Sequence, residues 1–288
     1  MTENYEHISV ITNGIRLHVV TAGDPFGKAV VLLHGFPEFW YGWRHQIPAL
    51  VSAGYRVITP DQRGYNLSDK PVGVAAYNID ELSRDVIGLL DHFGIEQTCL
   101  AGHDWGAAVA WNIALNYPRR IEHLAILNVP HPAVMLKTLQ TSPRQMIKSW
   151  YIGFFQIPWL ADRLLRVNHF SALNRMLISS GKAGTFTPDN LVEYNKAWAQ
   201  AHALTAMLNW YRAAFRERNF WQSEICVHVP TLILWGKHDV ALSVEMAQKS
   251  IQLCESGRLV FFENATHWVQ HDEPDEVNRQ LIAFFKGR

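Results

Sequence analysis

Thr98-Cys99-Leu100-Ala101-Gly102-His103-Asp104-Trp105-Gly106 is a short apolar run that ends in a glycine-framed turn with a carboxylate at its centre. The frame matches the nucleophile elbow, G-x-S-x-G, in which a sharp strand-to-helix turn raises one side chain above a sheet. Asp104 stands where that pattern has serine. A serine must lose a proton as it attacks, whereas an aspartate is already ionised near neutral pH, and its attack on carbon yields an ester of the enzyme itself. The position therefore points to attack at an alkyl carbon rather than at a carboxylic ester.

On either side of the elbow, apolar and β-branched runs alternate with helical patterns, which predicts a mainly parallel sheet with helices on both faces. Strands are expected near 7–12, 16–22, 29–33, 55–60, 98–103, 123–128, 231–235 and 258–263. Ile79, Leu82, Val86, Leu89 and Leu90 recur at helical spacing within 78–93, and a second helix is expected over 106–117. The first two strands read as a hairpin turning at Thr12-Asn13-Gly14. Between Pro130 and Pro230 the strand signal stops, and aromatic-rich helical segments follow, including Met146 to Phe155, Pro188 to Ala203 and Ala203 to Phe215. An insertion beyond the carboxyl ends of parallel strands reads as a lid over a site, entered at Pro130-His131-Pro132. The expected division is core over 1–130, helical cap over 131–225 and core again over 226–288.

Composition narrows the partners. Lys and Arg number 26 and so do Asp and Glu, so the formal net charge is zero. No basic stripe or polybasic patch recommends nucleic acid or an anionic membrane, and small neutral partners fit better. The residues Met1 to His7 show no secretory pattern, and no apolar stretch is long enough to span a bilayer. Cys99, Cys226 and Cys254 are far apart and lack a CxxC arrangement, which fits reduced thiols in a cytoplasmic protein.

Three further segments fall where an elbow enzyme needs them. His34-Gly35-Phe36-Pro37 follows the third expected strand, so the backbone N–H groups of Phe36 and Trp105 are the candidate oxyanion hole. A cis Phe36-Pro37 bond would help present that donor. Gly236-Lys237-His238-Asp239 follows a later strand and offers Asp239 as the orienting acid, the position after the sixth strand being occupied by Asn128. Asn264-Ala265-Thr266-His267-Trp268 follows the last strand, which completes the chain order nucleophile, acid, histidine. His34 and His103 are expected to orient backbone around the site. His271, four residues after His267, raises a metal pair, but no HExxH pattern or third ligand accompanies it, and no metal is expected.

At these residues the chain resembles the epoxide hydrolases of the α/β-hydrolase superfamily, over essentially its whole length. HGFP, GHDWG, Trp43-Arg44-His45-Gln46 and Asp61-Gln62-Arg63-Gly64-Tyr65-Asn66 are similar to that family's characteristic segments. The resemblance implies an α/β-hydrolase fold: a mostly parallel eight-stranded sheet flanked by helices, with a helical cap inserted after the sixth strand. It also implies two cap tyrosines over the nucleophile. The motifs carrying them appear as Tyr151-Ile152-Gly153-Phe154-Phe155-Gln156 and Asn209-Trp210-Tyr211-Arg212, which makes Tyr151 and Tyr211 the implied ring-opening pair.

An epoxide is strained but leaves as an alkoxide, so attack on carbon works best with proton donors on the ring oxygen, a task for neutral phenols. The implied reaction converts a small hydrophobic epoxide and water to a vicinal diol without a cofactor. A tentative apolar pocket is drawn from Phe36, Trp105, Trp150, Phe154, Trp210 and Trp268, most other cap aromatics, among them Trp159 and Phe170, being packing. A haloalkane or haloacid dehalogenase is the alternative that shares the aspartate, with halide-binding N–H groups in place of phenols. Carboxylesterase chemistry would force an anhydride on Asp104. A non-catalytic binder would be expected to lack a member of the triad. Monomer and homodimer both fit the chain.

Overall fold

The computed structural model describes residues 5–216 and 226–287. Eight strands form one sheet: β1 Glu6–Thr12, β2 Ile15–Ala22, β3 Lys28–Leu33, β4 Tyr55–Pro60, β5 Thr98–His103, β6 Ile121–Leu127, β7 Thr231–Gly236 and β8 Gly257–Phe262. Their order is β1-β2-β4-β3-β5-β6-β7-β8. β1 and β2 pair antiparallel, as do β2 and β4, and every later pairing is parallel. The hairpin turns where the sequence places it, with Asn13 and Gly14 both at positive φ (45° and 75°), as a two-residue turn between twisted strands requires.

The helices are α1 Gln46–Ser52, α2 Ile79–His92, α3 Trp105–Asn116, α4 Pro132–Thr141, α5 Pro143–Lys148, α6 Trp150–Phe155, α7 Leu160–Ser180, α8 Pro188–Trp198, α9 Ala203–Arg216, α10 Glu245–Ile251, α11 Val269–Asp272 and α12 Pro274–Phe285. Alternate residues of β3 serve opposite faces of the sheet. Val31 and Leu33 pack with Leu82 and Val86 of α2 and Val109 of α3. Val30 and Leu32 pack instead with Leu50 of α1 and Leu281 of α12. Burial on both faces is why the inner strands read as unbroken apolar runs rather than as alternation.

Between β6 and β7 the described residues are helical, from α4 to α9. This cap shares the first of the two cores: Leu173, Trp198, Leu204 and Trp210 belong to the same hydrophobic cluster as the buried residues of α2 and α3. His131 caps α4, its Nδ1 accepting from Ala133 N–H, which gives the Pro130-His131-Pro132 entry its structural content. The helix expected from Met146 to Phe155 is two short ones, broken at Ser149 (φ −91°, ψ 13°). The one expected to run to Ala203 stops at Trp198. α7 has no counterpart among the expected helices and is interrupted at 167–170, where Asn168, His169 and Phe170 have positive φ. Among the described residues no helix is long and apolar enough to cross a membrane.

Candidate active site

Asp104 sits between β5 and α3 with φ 49° and ψ −124°, a conformation that costs energy in any residue with a Cβ. Two glycines make this turn possible. A Cβ on Gly106 would lie 2.1 Å from the Leu33 carbonyl oxygen, and one on Gly35 would lie 2.3 Å from the Asp104 Cβ. The loop after β3 can therefore press its backbone against Asp104, and Phe36 N–H donates to Asp104 Oδ1 at 2.7 Å. Trp105 is the first residue of α3, so its N–H is one of the donors a helix leaves without an internal partner. The Phe36-Pro37 peptide is cis.

His267 and Asp239 converge on the same carboxylate from the ends of β8 and β7. His267 Nε2 is 3.5 Å from Asp104 Oδ2, and His267 Nδ1 is 2.7 Å from Asp239 Oδ2. Asp239 Oδ1 accepts from Ala241 N–H at 2.7 Å and Leu242 N–H at 2.8 Å, and its Oδ2 accepts from Asn128 Nδ2 at 2.8 Å. Asn128, at the alternative acid position, thus helps orient Asp239. Burial works against the charge on all three groups. Even so, His267 beside them holds both aspartates below the ordinary carboxylate value, while the Asp239 charge and the Asp104 hydrogen bond raise His267 to about 10.

The rival His271 is turned away from this centre. Its Nε2 lies 2.8 Å from Glu38 Oε1, which also accepts from Tyr194 Oη at 2.5 Å. Burial opposes the Glu38 charge, yet His271 and His103 keep that carboxyl well below its ordinary value, and burial lowers His271 to about 4. His103 joins the two centres: its Nδ1 is 3.5 Å from Glu38 and its Nε2 is 2.9 Å from the carbonyl oxygen of His267. Glu38 escaped the sequence reading although it follows HGFP directly. His34 accepts from Gln62 N–H at 3.0 Å and so holds the loop after β4.

Above Asp104 the cap supplies Tyr151 from α6 and Tyr211 from α9, with ring centres 6.1 Å apart. Both line, with Asp104, a cavity of about 330 Å³. Burial, and then the Asp104 charge, push both phenols above the ordinary tyrosine value, so both are neutral donors. The remaining wall is largely aliphatic, with Val129, Met135, Leu136, Leu139 and Leu242 prominent.

Of the aromatics expected there, Trp105 is on the wall. Trp150 is instead 68% exposed, Trp210 donates its Nε1–H to the Arg63 carbonyl at 3.0 Å, and Trp268 donates to Ser180 Oγ at 2.8 Å. Phe36 packs its ring against Phe155 and Tyr211, and Phe154 packs between Trp150 and Phe155. Among the described residues, the groups of His, Cys, Asp and Glu close enough to hold a metal ion do not include Asp104, Asp239 or His267.

Residues 28–274 match the alpha/beta hydrolase fold family. The chain is 46% identical over 279 residues to AB hydrolase superfamily protein YfhM of Bacillus subtilis (strain 168), covering 97% of each. It is 36% identical over 317 aligned positions to Epoxide hydrolase A of Mycobacterium tuberculosis (strain ATCC 25618 / H37Rv), covering 96% of each. The chain belongs to the epoxide hydrolase family of α/β-hydrolases. The crystal structure of a Bacillus megaterium epoxide hydrolase in complex with an inhibitor superimposes with a TM-score of 0.90 at 30% identity, covering 97% of this chain and 100% of that one.

In this epoxide hydrolase family member, a latch that the sequence reading missed fastens cap to core beside the acid. Gln145 of α5 is fully buried and donates to the Ala241 carbonyl at 2.8 Å and to Ser149 Oγ at 3.0 Å. Its Oε1 accepts from Ser243 N–H at 3.0 Å and Ser243 Oγ at 2.8 Å. All four hydrogen-bonding positions of the amide are used. Lys148, one turn on, donates to the Asp239 carbonyl at 2.9 Å. The helix that precedes Tyr151 is therefore tied to the loop that presents Asp239.

Proposed function

We propose that the protein converts a small hydrophobic epoxide and water to a vicinal diol through an ester on Asp104. The observation that carries this reading is that one apolar cavity presents a carboxylate and two neutral phenols together. Asp104 attacks a ring carbon, the carbon–oxygen bond breaks, and the departing oxygen takes a proton from Tyr151 or Tyr211. Acid assistance of this kind is worth about 10²–10⁴-fold. Esterification also removes the Asp104 charge that opposes phenol ionisation, so the donors strengthen as the alkoxide forms.

The same loss of charge prepares the second step. With Asp104 anionic, His267 has a raised value and holds two protons; once Asp104 is an ester, one of its two stabilising anions is gone and His267 becomes a neutral base. The proton it sheds balances the one the phenolate takes back. His267 then removes a proton from water, the resulting hydroxide attacks the Asp104 carbonyl carbon, and negative charge collects on an oxygen aligned with Phe36 N–H and Trp105 N–H. Donors aimed at such an oxygen are worth roughly 10²–10³ each. Collapse expels the glycol oxygen, which takes its proton from His267. The Asp104 carboxyl, now carrying one oxygen from water, passes its remaining proton to His267, which restores the starting carboxylate and the doubly protonated imidazole.

The proposal includes the division into core over 1–130, cap over 131–225 and core over 226–288; its boundary at 225 lies outside the described residues. A cytoplasmic setting suits the reduced thiols and small neutral substrate. Single turnover of an aryl or alkyl epoxide in heavy-oxygen water tests the mechanism, with label expected in Asp104 and not in the first diol released. Label in that diol would exclude the ester. A haloalkane panel assayed for halide release separates this activity from the dehalogenase alternative.

A further inference from the structure

Among the described residues, two clusters of cysteine, histidine and glutamate lie away from the active site: Cys99, Glu122 and His123, and Cys226, His228 and Glu255. In each, the candidate donor atoms lie within 4.8 Å of one another. The donor types are the same, but the surroundings are not. Cys99 is fully buried, and burial pushes its thiol up to about 12. Lys28 Nζ lies 2.7 Å from Glu122 Oε1, so an ammonium already occupies the place a metal ion would take, and like charges at such range repel.

In the second cluster the partner of the carboxylate is His228, whose Nδ1 is 2.8 Å from Glu255 Oε1. A neutral imidazole is a ligand rather than a competitor. The two side chains are 49% and 57% exposed, so an ion has access. Their backbones are held in register: Val227 N–H donates to the Leu253 carbonyl at 2.8 Å, and Glu255 N–H donates to the Val227 carbonyl at 3.0 Å. Because Val227 pairs in parallel with Cys254, the residues flanking each of them fall on the other face, which brings Cys226, His228 and Glu255 together.

We propose that Cys226, His228 and Glu255 form a site for a zinc-class divalent transition metal. One thiolate, one imidazole and one carboxylate suit that ion, and a water completes a tetrahedron. Bonds of about 2.0–2.3 Å to a common centre set the donors roughly 3.3–3.8 Å apart, so the cluster needs adjustments of at most about 1.5 Å. On binding, the Cys226 thiol gives its proton to solvent, His228 contributes the Nδ1 lone pair and Glu255 an ionised oxygen, leaving a neutral site. The ion ties the segment entering β7 to the segment entering β8. Asp239 and His267 follow the opposite, carboxyl ends of those strands, so the metal supports the sheet and takes no part in turnover.

The test uses the full chain stripped of metal with a chelator, titrated with Zn²⁺ by calorimetry and with Co²⁺ by absorption. One ion per chain is expected, with a thiolate-to-cobalt charge-transfer band and a zinc-dependent rise in Tm. Cys226→Ser removes the band and weakens zinc binding by about 100-fold or more, since even outer partners of a metal are worth roughly 10–100-fold. His228→Gln weakens zinc binding similarly but keeps the band, and Cys99→Ser changes neither. Zinc uptake no tighter in the parent chain than in Cys226→Ser would overturn the site, as would a band that survives Cys226→Ser or one ion shared by two chains. If Cys226→Ser does not fold, His228→Gln and Glu255→Gln decide the question by calorimetry, and unchanged affinity in both overturns it.

Discussion

The floor and the roof of the cavity are built on different principles. On the floor, Asp104, Asp239 and His267 follow the carboxyl ends of the parallel strands β5, β7 and β8, and each is fixed by short hydrogen bonds or by backbone packed close enough to require glycine. In the roof, Tyr151 and Tyr211 ride on α6 and α9 and are positioned by ring packing with Phe155, Phe36 and Trp105. Under the proposed mechanism the difference separates two jobs. Making and breaking an ester demands fixed donors around one carbon, whereas assisting a leaving oxygen tolerates a softer support that also shapes the substrate's space. The Gln145 latch couples them by tying the helix before Tyr151 to the Asp239 loop.

This contrast can be broken at several places. Asp104→Ala should have the largest effect, reducing diol formation by on the order of 10⁴–10⁶-fold, as loss of a covalent nucleophile does elsewhere. Residual turnover close to that of the parent chain would remove Asp104 from the mechanism. His267→Gln should still alkylate but fail to hydrolyse, so intact mass spectrometry should find Asp104 carrying one epoxide equivalent.

In the roof, the paired change Tyr151→Phe and Tyr211→Phe should slow ring opening by about 10²–10⁴-fold, each single change costing less. Here no ester should accumulate, the reverse of His267→Gln. Gln145→Leu leaves groups of the Asp239 loop unpaired at roughly 1–3 kcal/mol each, to be seen in denaturant midpoints and in a slower hydrolytic step. Trp150→Ala should stay within about 0.5 kcal/mol and near parental activity, because that side chain faces solvent.

A separate check on the floor lies in pH. His267 is raised from 6.5 to about 10, so the stability it contributes is complete below pH 6.5 and is lost as pH rises through about 10. The stability gap between the parent chain and His267→Gln should therefore narrow over that window. The depressed Asp104 and Asp239 act oppositely, their contribution present above the ordinary aspartate value and lost as pH falls. Denaturation series at several pH values check both slopes.

The elbow, the loop after β3 and the ends of β7 and β8 were legible because each is a local pattern: an apolar run followed by glycine or by a polar residue at a fixed offset. The cap was legible as helical but not in its breaks, since Ser149 ends one helix through a local turn that hydrophobic spacing does not register. The pocket wall was misjudged for a related reason. Trp150, Trp210 and Trp268 carry the largest apolar surfaces in their segments, yet exposure or an indole hydrogen bond holds each away from the cavity, and smaller residues of α4 and Leu242 form its side.

By itself, then, the sequence determined the order of elements and placed Asp104, Asp239 and His267 after strand ends, because these depend on residue type and short spacing, while Tyr151 and Tyr211 were named only through the family resemblance. Only the tertiary structure decided that Asn128 orients Asp239 while His271 serves Glu38, that Gln145 fastens the cap, and that Cys226, His228 and Glu255 meet. Those relations join residues distant in the chain through hydrogen bonds and packing directions, and no local periodicity encodes them.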